Sequence, residues 1–168
     1  MSSVKSWTVR SASIADAEAI AKIHVDSWRT AYRGLLPAET LEGFSVQQRY
    51  QVWKDHFFKG RRGLVLEIEG RVVGFAEYGP SSHSDCGEIY SLYLDPQRWQ
   101  KGGGTLLYLA TLDTLREKGF RELEVLVLEG NEPACCFYKK HGLKTDGRVI
   151  NIDMLGFKLP HLIYRGSL

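Results

Sequence analysis

The chain has 168 residues, 43% of them hydrophobic and 25% charged, with a formal net charge of +2 at neutral pH. That length and balance exclude a disordered or fibrous chain and fit one domain, residues 1–168, with a full hydrophobic core. So small a charge, with no long basic block, gives no footprint for nucleic acid or an anionic membrane surface, and no apolar run reaches membrane-spanning length.

The first stretch, "MSSVKSWTVR", lacks the apolar core of an export signal. Cys86 stands far from the adjacent Cys135 and Cys136, a poor disulfide framework. A reducing cytoplasm is the expected compartment.

Along the chain, "WTVR" alternates as a strand does. Ser13, with Asp16 three residues on, reads as a capping box. The helix it opens carries Ala17, Ile20, Ala21 and His24 on one face and runs to about Tyr32. "RGLLPAETL" breaks the pattern, with Pro37 able to start a short helical turn. Ser45 and Gln48 form a second capping-box pair. Val46, Tyr50, Trp53 and Phe57 then follow at helical spacing.

"LVLEIEGRVVGFAEYG" reads as a hairpin turning at Glu69-Gly70, and "GEIYSLYL" as the next strand. After three glycines, Leu106, Leu109, Leu112 and Leu115 recur every third residue. Gly119 stands where a helix C-cap glycine belongs. "ELEVLVL" suits a buried strand and "EPACCFYKKHG" a helix of about two turns. "RVINIDMLGF" and "HLIYRGSL" read as closing strands. Helices alternating with strands in the middle, between mostly strand ends, predict an α/β (α+β) domain with a mixed sheet.

The chemistry concentrates in "QKGGGTLL". A glycine-rich turn between a strand and a helix is either a surface turn or an anion cradle. Amides at a helix N-terminus point outward, and the helix dipole favours negative charge there. Gly102, Gly103 and Gly104 would let phosphate oxygens approach without a Cβ in the way, and Lys101 adds a charge. A P-loop needs Gly-Lys-Ser/Thr, but here the lysine precedes the glycines. The dinucleotide fingerprint needs a small residue where Leu107 stands.

A third pattern fits. The segment from Glu88 to Gly104, followed by "NEPACCFYKKHG", resembles the GNAT superfamily of acetyl-CoA-dependent N-acetyltransferases. The family's loop reads Arg/Gln-x-x-Gly-x-Gly/Ala, matched here at Gly102 and Gly104. Its downstream Asn, Ala and Tyr match Asn131, Ala134 and Tyr138 before "KKHGL". The first helix, "SWRTAYRGLLP" and the final strands extend the resemblance over nearly the whole chain. One position departs from it: Trp99 replaces the loop's Arg/Gln, with Gln100 beside it.

The resemblance implies a twisted, mixed and mostly antiparallel sheet of about six to seven strands flanked by about four helices, two central strands splayed apart. It implies acetyl-CoA as cofactor. The pyrophosphate would lie on Gln100, Lys101, Gly102, Gly103, Gly104 and Thr105. The pantetheine would lie along the backbone of Leu92, Tyr93 and Leu94, near Asn131, Ala134 and Phe137. Two catalytic groups follow. Glu88 is either the base that frees the amine or a strand-end carboxylate. Tyr138 is either the acid that protonates the departing thiolate or a core tyrosine. Asn131 can also serve as a helix N-cap.

Trp28, Tyr32 and Tyr50 are candidates for the acceptor side, with Trp53 reading better as core. The acceptor would be a small-molecule or peptide amine. A nucleophilic role for Cys135 or Cys136 would need a partner such as His141, and packing is the simpler reading. "HSDC" lacks a second ligand pair and reads as a loop, so no metal is expected. The family's dimers, formed through C-terminal strands, suggest a possible homodimer. The competing functional class is a non-catalytic acyl-CoA sensor or interaction module.

Overall fold

In the computed structural model, residues 6–82 and 84–168 are described. Residues 1–5, within the stretch read for an export signal, and His83 of the "HSDC" segment lie outside them. Seven strands form one sheet in the order β1-β2-β3-β4-β5-β7-β6. They are β1 Trp7–Ser11, β2 Arg62–Ile68, β3 Arg71–Pro80, β4 Gly87–Leu94, β5 Glu122–Leu128, β6 Val149–Met154 and β7 Phe157–Ser167. The helices are α1 Ala17–Ala31, α2 Ala38–Glu42, α3 Val46–Phe58, α4 Gly103–Glu117 and α5 Glu132–Lys140. That is one more than the about four helices the resemblance implied; the short α2 is the helical turn expected at Pro37.

Local signals account for most boundaries. Ser13 and Asp16 form the reciprocal capping box of a 3-10 turn that leads into α1. Arg10 grips Asp16 at 2.8 Å and Glu67 at 2.6 Å, tying β1 to the helix start and to β2. Ser45 caps α3 by accepting the Gln48 amide, the one half of the predicted box that forms. Glu69 and Gly70 both take positive φ, as a two-residue hairpin turn of this hand requires. Gly119, at φ 91°, closes α4 with amide bonds from Gly119 to Arg116 and from Phe120 to Leu115. The last hairpin turns at Leu155-Gly156, so "GF" is divided and β7 begins at Phe157, before the predicted "HLIY".

The helices cover both faces of the sheet. On one face, Ala17, Ile20 and Ile23 of α1 and Trp53 of α3 pack on Val65 and Phe75. On the other, Leu107, Leu112 and Leu115 of α4 and Tyr138 of α5 pack on Leu66, Ile89, Val125 and Val127. The predicted stripe on α4 is corrected here. Leu112 and Leu115 are buried, but Leu106 and Leu109 are exposed, and Leu107, Tyr108 and Thr111 take their places. Three residues advance a helix by about 300°, so an every-third pattern drifts off the buried face. No described helix is long and apolar enough to cross a membrane.

The decisive irregularity lies between β4 and β5. They pair in parallel over three positions only, Gly87–Ile89 against Leu123–Val125. At that point the β3–β4 register slips, from Tyr78 opposite Ile89 to Glu77 opposite Ser91, leaving Tyr90 as the extra residue of a bulge. Beyond it β4 stays on β3 and β5 stays on β7, and the two strands part.

Candidate active site

A cleft of about 650 Å³ fills the gap, a volume that suits a sizeable ligand. Its walls offer backbone. The Asp95 amide donates to Val73 at 2.8 Å, which sets Asp95 and Tyr93 as the residues bonded to β3. Hydrogen bonding in an antiparallel pair alternates, so Leu92 and Leu94 turn their amides and carbonyls into the gap. The Glu129 amide donates to Pro160 at 2.9 Å, and the same alternation turns Leu126 and Leu128 into the gap from β5. The Leu94 carbonyl is already taken. It accepts from Ser27 Oγ at 2.7 Å and from Trp99 Nε1 at 2.9 Å. The position where the loop departs from its motif therefore pins that loop to the end of β4.

At one mouth of the cleft α4 begins. Gly102 is its N-cap, at φ 86°, with no side-chain cap. The amides of Gly103, Gly104 and Thr105 thus lack intrahelical acceptors. The three glycines differ. A Cβ on Gly102 would meet open space, and one on Gly104 would make ordinary contact with Phe137 at 3.7 Å. At Gly103 it would strike the Trp7 ring at 2.5 Å. Gly103 is a packing glycine. Lys101 is exposed and does not line the cleft, and its Nζ donates to the Gln97 carbonyl at 2.9 Å. Gln100 lines it, in the left-handed region at φ 59°.

Of the other expected cofactor residues, Leu92, Tyr93, Leu94, Thr105, Asn131, Ala134, Phe137 and Tyr138 all line the cleft. Asn131 caps α5, its Oδ1 accepting the Ala134 amide at 3.4 Å. Tyr138 is 7% exposed, and burial raises its hydroxyl pKa above the usual phenol value, keeping it protonated. On the acceptor side only Tyr32 lines the cleft, its hydroxyl 3.3 Å from that of Tyr93. Trp28 lies a layer deeper, stacked on Phe44 at 4.7 Å, and Tyr50 packs at the edge of the α1–α3 core. Beneath them His24 is pushed down to about 3 by burial, so it is a neutral core ring that accepts from Trp53 Nε1. Charging it would cost on the order of 5 kcal/mol.

Glu88 lies at the zipped end, one residue before the cleft-lining Ile89 and Tyr90. It is 6% exposed, not a solvent-facing carboxylate. Burial raises its pKa to about 7; the charge of Glu124 adds to this and a hydrogen bond with Ser81 opposes it. Among the described residues no cluster of His, Cys, Asp and Glu is placed to hold a metal. Cys135 is buried, Cys136 is exposed at the cleft wall, and His141 stacks on Phe137, so the described residues show no thiol–imidazole pair.

Sequence reasoning missed Ser27 and the pair Glu124–Arg165. The one available signal was Glu124 itself, a charge inside an apolar strand.

Residues 18–143 match the model of the acetyltransferase (GNAT) family. N-acetyltransferase YuaI of Bacillus subtilis (strain 168) is 35% identical over 158 residues, 92% of this chain and 90% of that protein. Spermidine N(1)-acetyltransferase of Thermoplasma acidophilum is 27% identical over 149 residues, 83% of this chain and 91% of that protein. Among solved structures, the PaiA N-acetyltransferase of Thermoplasma acidophilum in complex with coenzyme A superposes with a TM-score of 0.77 at 24% identity. That match covers 97% of this chain and 99% of the other.

Proposed function

Given that the chain belongs to the acetyltransferase (GNAT) family and is an acyltransferase using acetyl-CoA, we propose that it acetylates a primary amine by direct attack within a ternary complex. The observation that carries this reading is the placement of two unlike ends on one seam. An uncapped helix start opens one mouth of the cleft, and a buried carboxyl held near neutrality closes the other.

The residues fit the cofactor. The amides of Gly103, Gly104 and Thr105 would hold its pyrophosphate. Leu92, Leu94 and Leu126 would pair with its amide-rich arm as a strand would. Acetyl-CoA supplies an activated acyl carbon and a thiolate leaving group. The backbone donors of β4 stabilise negative charge on the acyl oxygen as it develops.

Most alkyl amines are protonated at pH 7 and must lose a proton to attack. Glu88 takes that proton, through one water, since it adjoins Ile89 and Tyr90 of the cleft wall without lining the cleft itself. The new N–C bond forms as the C–S bond breaks, and the Tyr138 hydroxyl donates to the departing sulfur. Tyr32 and Tyr93 present hydroxyls to the acceptor.

The test is thiol release from acetyl-CoA across a panel: spermidine, amino sugars, peptides with free N-termini and lysine peptides. Release with at least one amine is expected. Tight cofactor binding with no release from any of them would favour a cofactor-sensing module instead.

A further inference from the structure

The zipped end holds a second carboxylate that the reaction does not use. Glu124 is the direct ladder partner of Glu88, residue against residue in the parallel register. Their Cα atoms are therefore about 4.8 Å apart. Both side chains are buried, Glu88 at 6% and Glu124 at 0% exposure.

Their partners differ. Glu124 Oε2 accepts from Arg165 Nε at 2.8 Å, from its Nη2 at 2.6 Å and from Ser84 Oγ at 3.2 Å. Glu124 Oε1 accepts from Ser81 Oγ at 2.8 Å. Burial works to raise Glu124, but these bonds hold it below the usual carboxylate range, so it is ionised at neutral pH. Ser81 also reaches Glu88. A hydroxyl has one proton to give and can accept as well. While Ser81 donates to Glu124, a protonated Glu88 can donate to Ser81 and every group is satisfied. Once Glu88 ionises it keeps its hydrogen bond from the Ser82 backbone, but two carboxylates compete for the one Ser81 proton.

Among the described residues, the other charged and titratable groups near Glu88 are already engaged. Glu77 on β3 takes Arg61 at 3.0 Å and lies 3.2 Å from His56. Tyr90, next but one on the same strand, stays a neutral phenol because burial and the charge of Glu88 raise it. Arg165 is held first by Glu124, and also feels Cys86 and Asp146.

We propose that Glu124 and Arg165 form a charge-setting pair that governs when Glu88 can accept a proton. They are positioning residues, since neither touches the cleft. The proposal rests on the reading of Glu88 as the base, and the experiment separates the two.

The Glu88 carboxyl is titrated by NMR in protein carrying 13C-labelled glutamate, with Glu88→Gln giving the assignment. The pH profile of kcat/KM is measured beside it. Glu124→Gln leaves Arg165 uncompensated and lowers the Glu88 midpoint by about one unit. Arg165→Gln removes the cation beside Glu124 and raises it by a similar amount, the two carboxyls then titrating as a pair. Arg165→Lys keeps the charge and the midpoint. Midpoints within about 0.3 unit of wild type in both neutralised variants would overturn the proposal. Should Arg165→Gln fail to fold, Glu124→Gln against Arg165→Lys decides it: equal midpoints reject the pair. If the carboxyl titration moves as expected but the rate profile does not follow, the pair is confirmed. The assignment of Glu88 as base is then what fails.

Discussion

The two halves of the β4–β5 seam do opposite things with the same strands. At the zipped end the backbone groups satisfy one another, and on the proposed reading the side chains carry the chemistry: Glu88 and Glu124, with Arg165 behind them. Beyond the Tyr90 bulge the side chains are mostly apolar, and on the same reading the backbone carries it, through Leu92, Leu94 and Leu126. One extra residue would then divide a proton-handling end from a ligand-pairing end. A charge must be built from a particular side chain, whereas a backbone donor needs only a strand without its neighbour.

The largest expected effect breaks the zipped end. Glu88→Gln is nearly isosteric and removes the base, so kcat/KM should fall by about 10² to 10³, with the acetyl-CoA Kd unchanged by calorimetry. In wild type the sign is fixed by Glu88 working only when deprotonated. kcat/KM should therefore rise tenfold per unit below the midpoint near 7 and level off above it. A flat profile from pH 5 to 9 would remove Glu88 from the reaction.

Next come two adjacent glycines on opposite sides of the loop. A methyl on Gly103 meets the Trp7 ring at 2.5 Å, and overpacking of this kind costs about 1–3 kcal/mol. Gly103→Ala should lower Tm by several degrees. Gly104→Ala has room and a helical residue's gain, up to about 1 kcal/mol, so its Tm should hold or rise. Equal melting of the two variants would contradict the packing assigned to Gly103.

Tyr138→Phe should have a smaller effect. A thiol has an ordinary pKa near 8.5 and leaves without much help. A drop of about tenfold in kcat at constant Kd is expected, and unchanged turnover would return Tyr138 to the core.

Elements set by local chemistry were legible: the Glu69-Gly70 turn and the Gly119 cap. Asn131, Ala134 and Tyr138, one helical turn apart, were picked out by the resemblance, and all three line the cleft. What depends on packing was not. Trp28, Tyr32 and Tyr50 look alike in sequence, and only the seating of α1 on β3 and β4 decides that Tyr32 alone reaches the cleft. The bulge at Tyr90 bears no residue type that marks it. Glu124 and Arg165 lie 41 residues apart and meet only because β5 pairs with β7.

Lys101 gives the smallest expected effect and the sharpest test of the comparison. If the open end works through backbone, the cation on its glycine loop should matter little. The Lys101 amine already donates to Gln97 on the exposed side of the loop, away from the cleft. Its attraction for a phosphate would be that of a surface charge, screened within about 8 Å at physiological salt. Lys101→Ala should therefore change the acetyl-CoA Kd by less than about twofold at 0.15 M salt, under 0.5 kcal/mol, and somewhat more at low salt. A tenfold loss that persists at high salt would mean that Lys101 leaves Gln97 and takes the phosphate directly. The open end would then depend on a side chain as the zipped end does, and the division at Tyr90 would no longer separate the two kinds of chemistry.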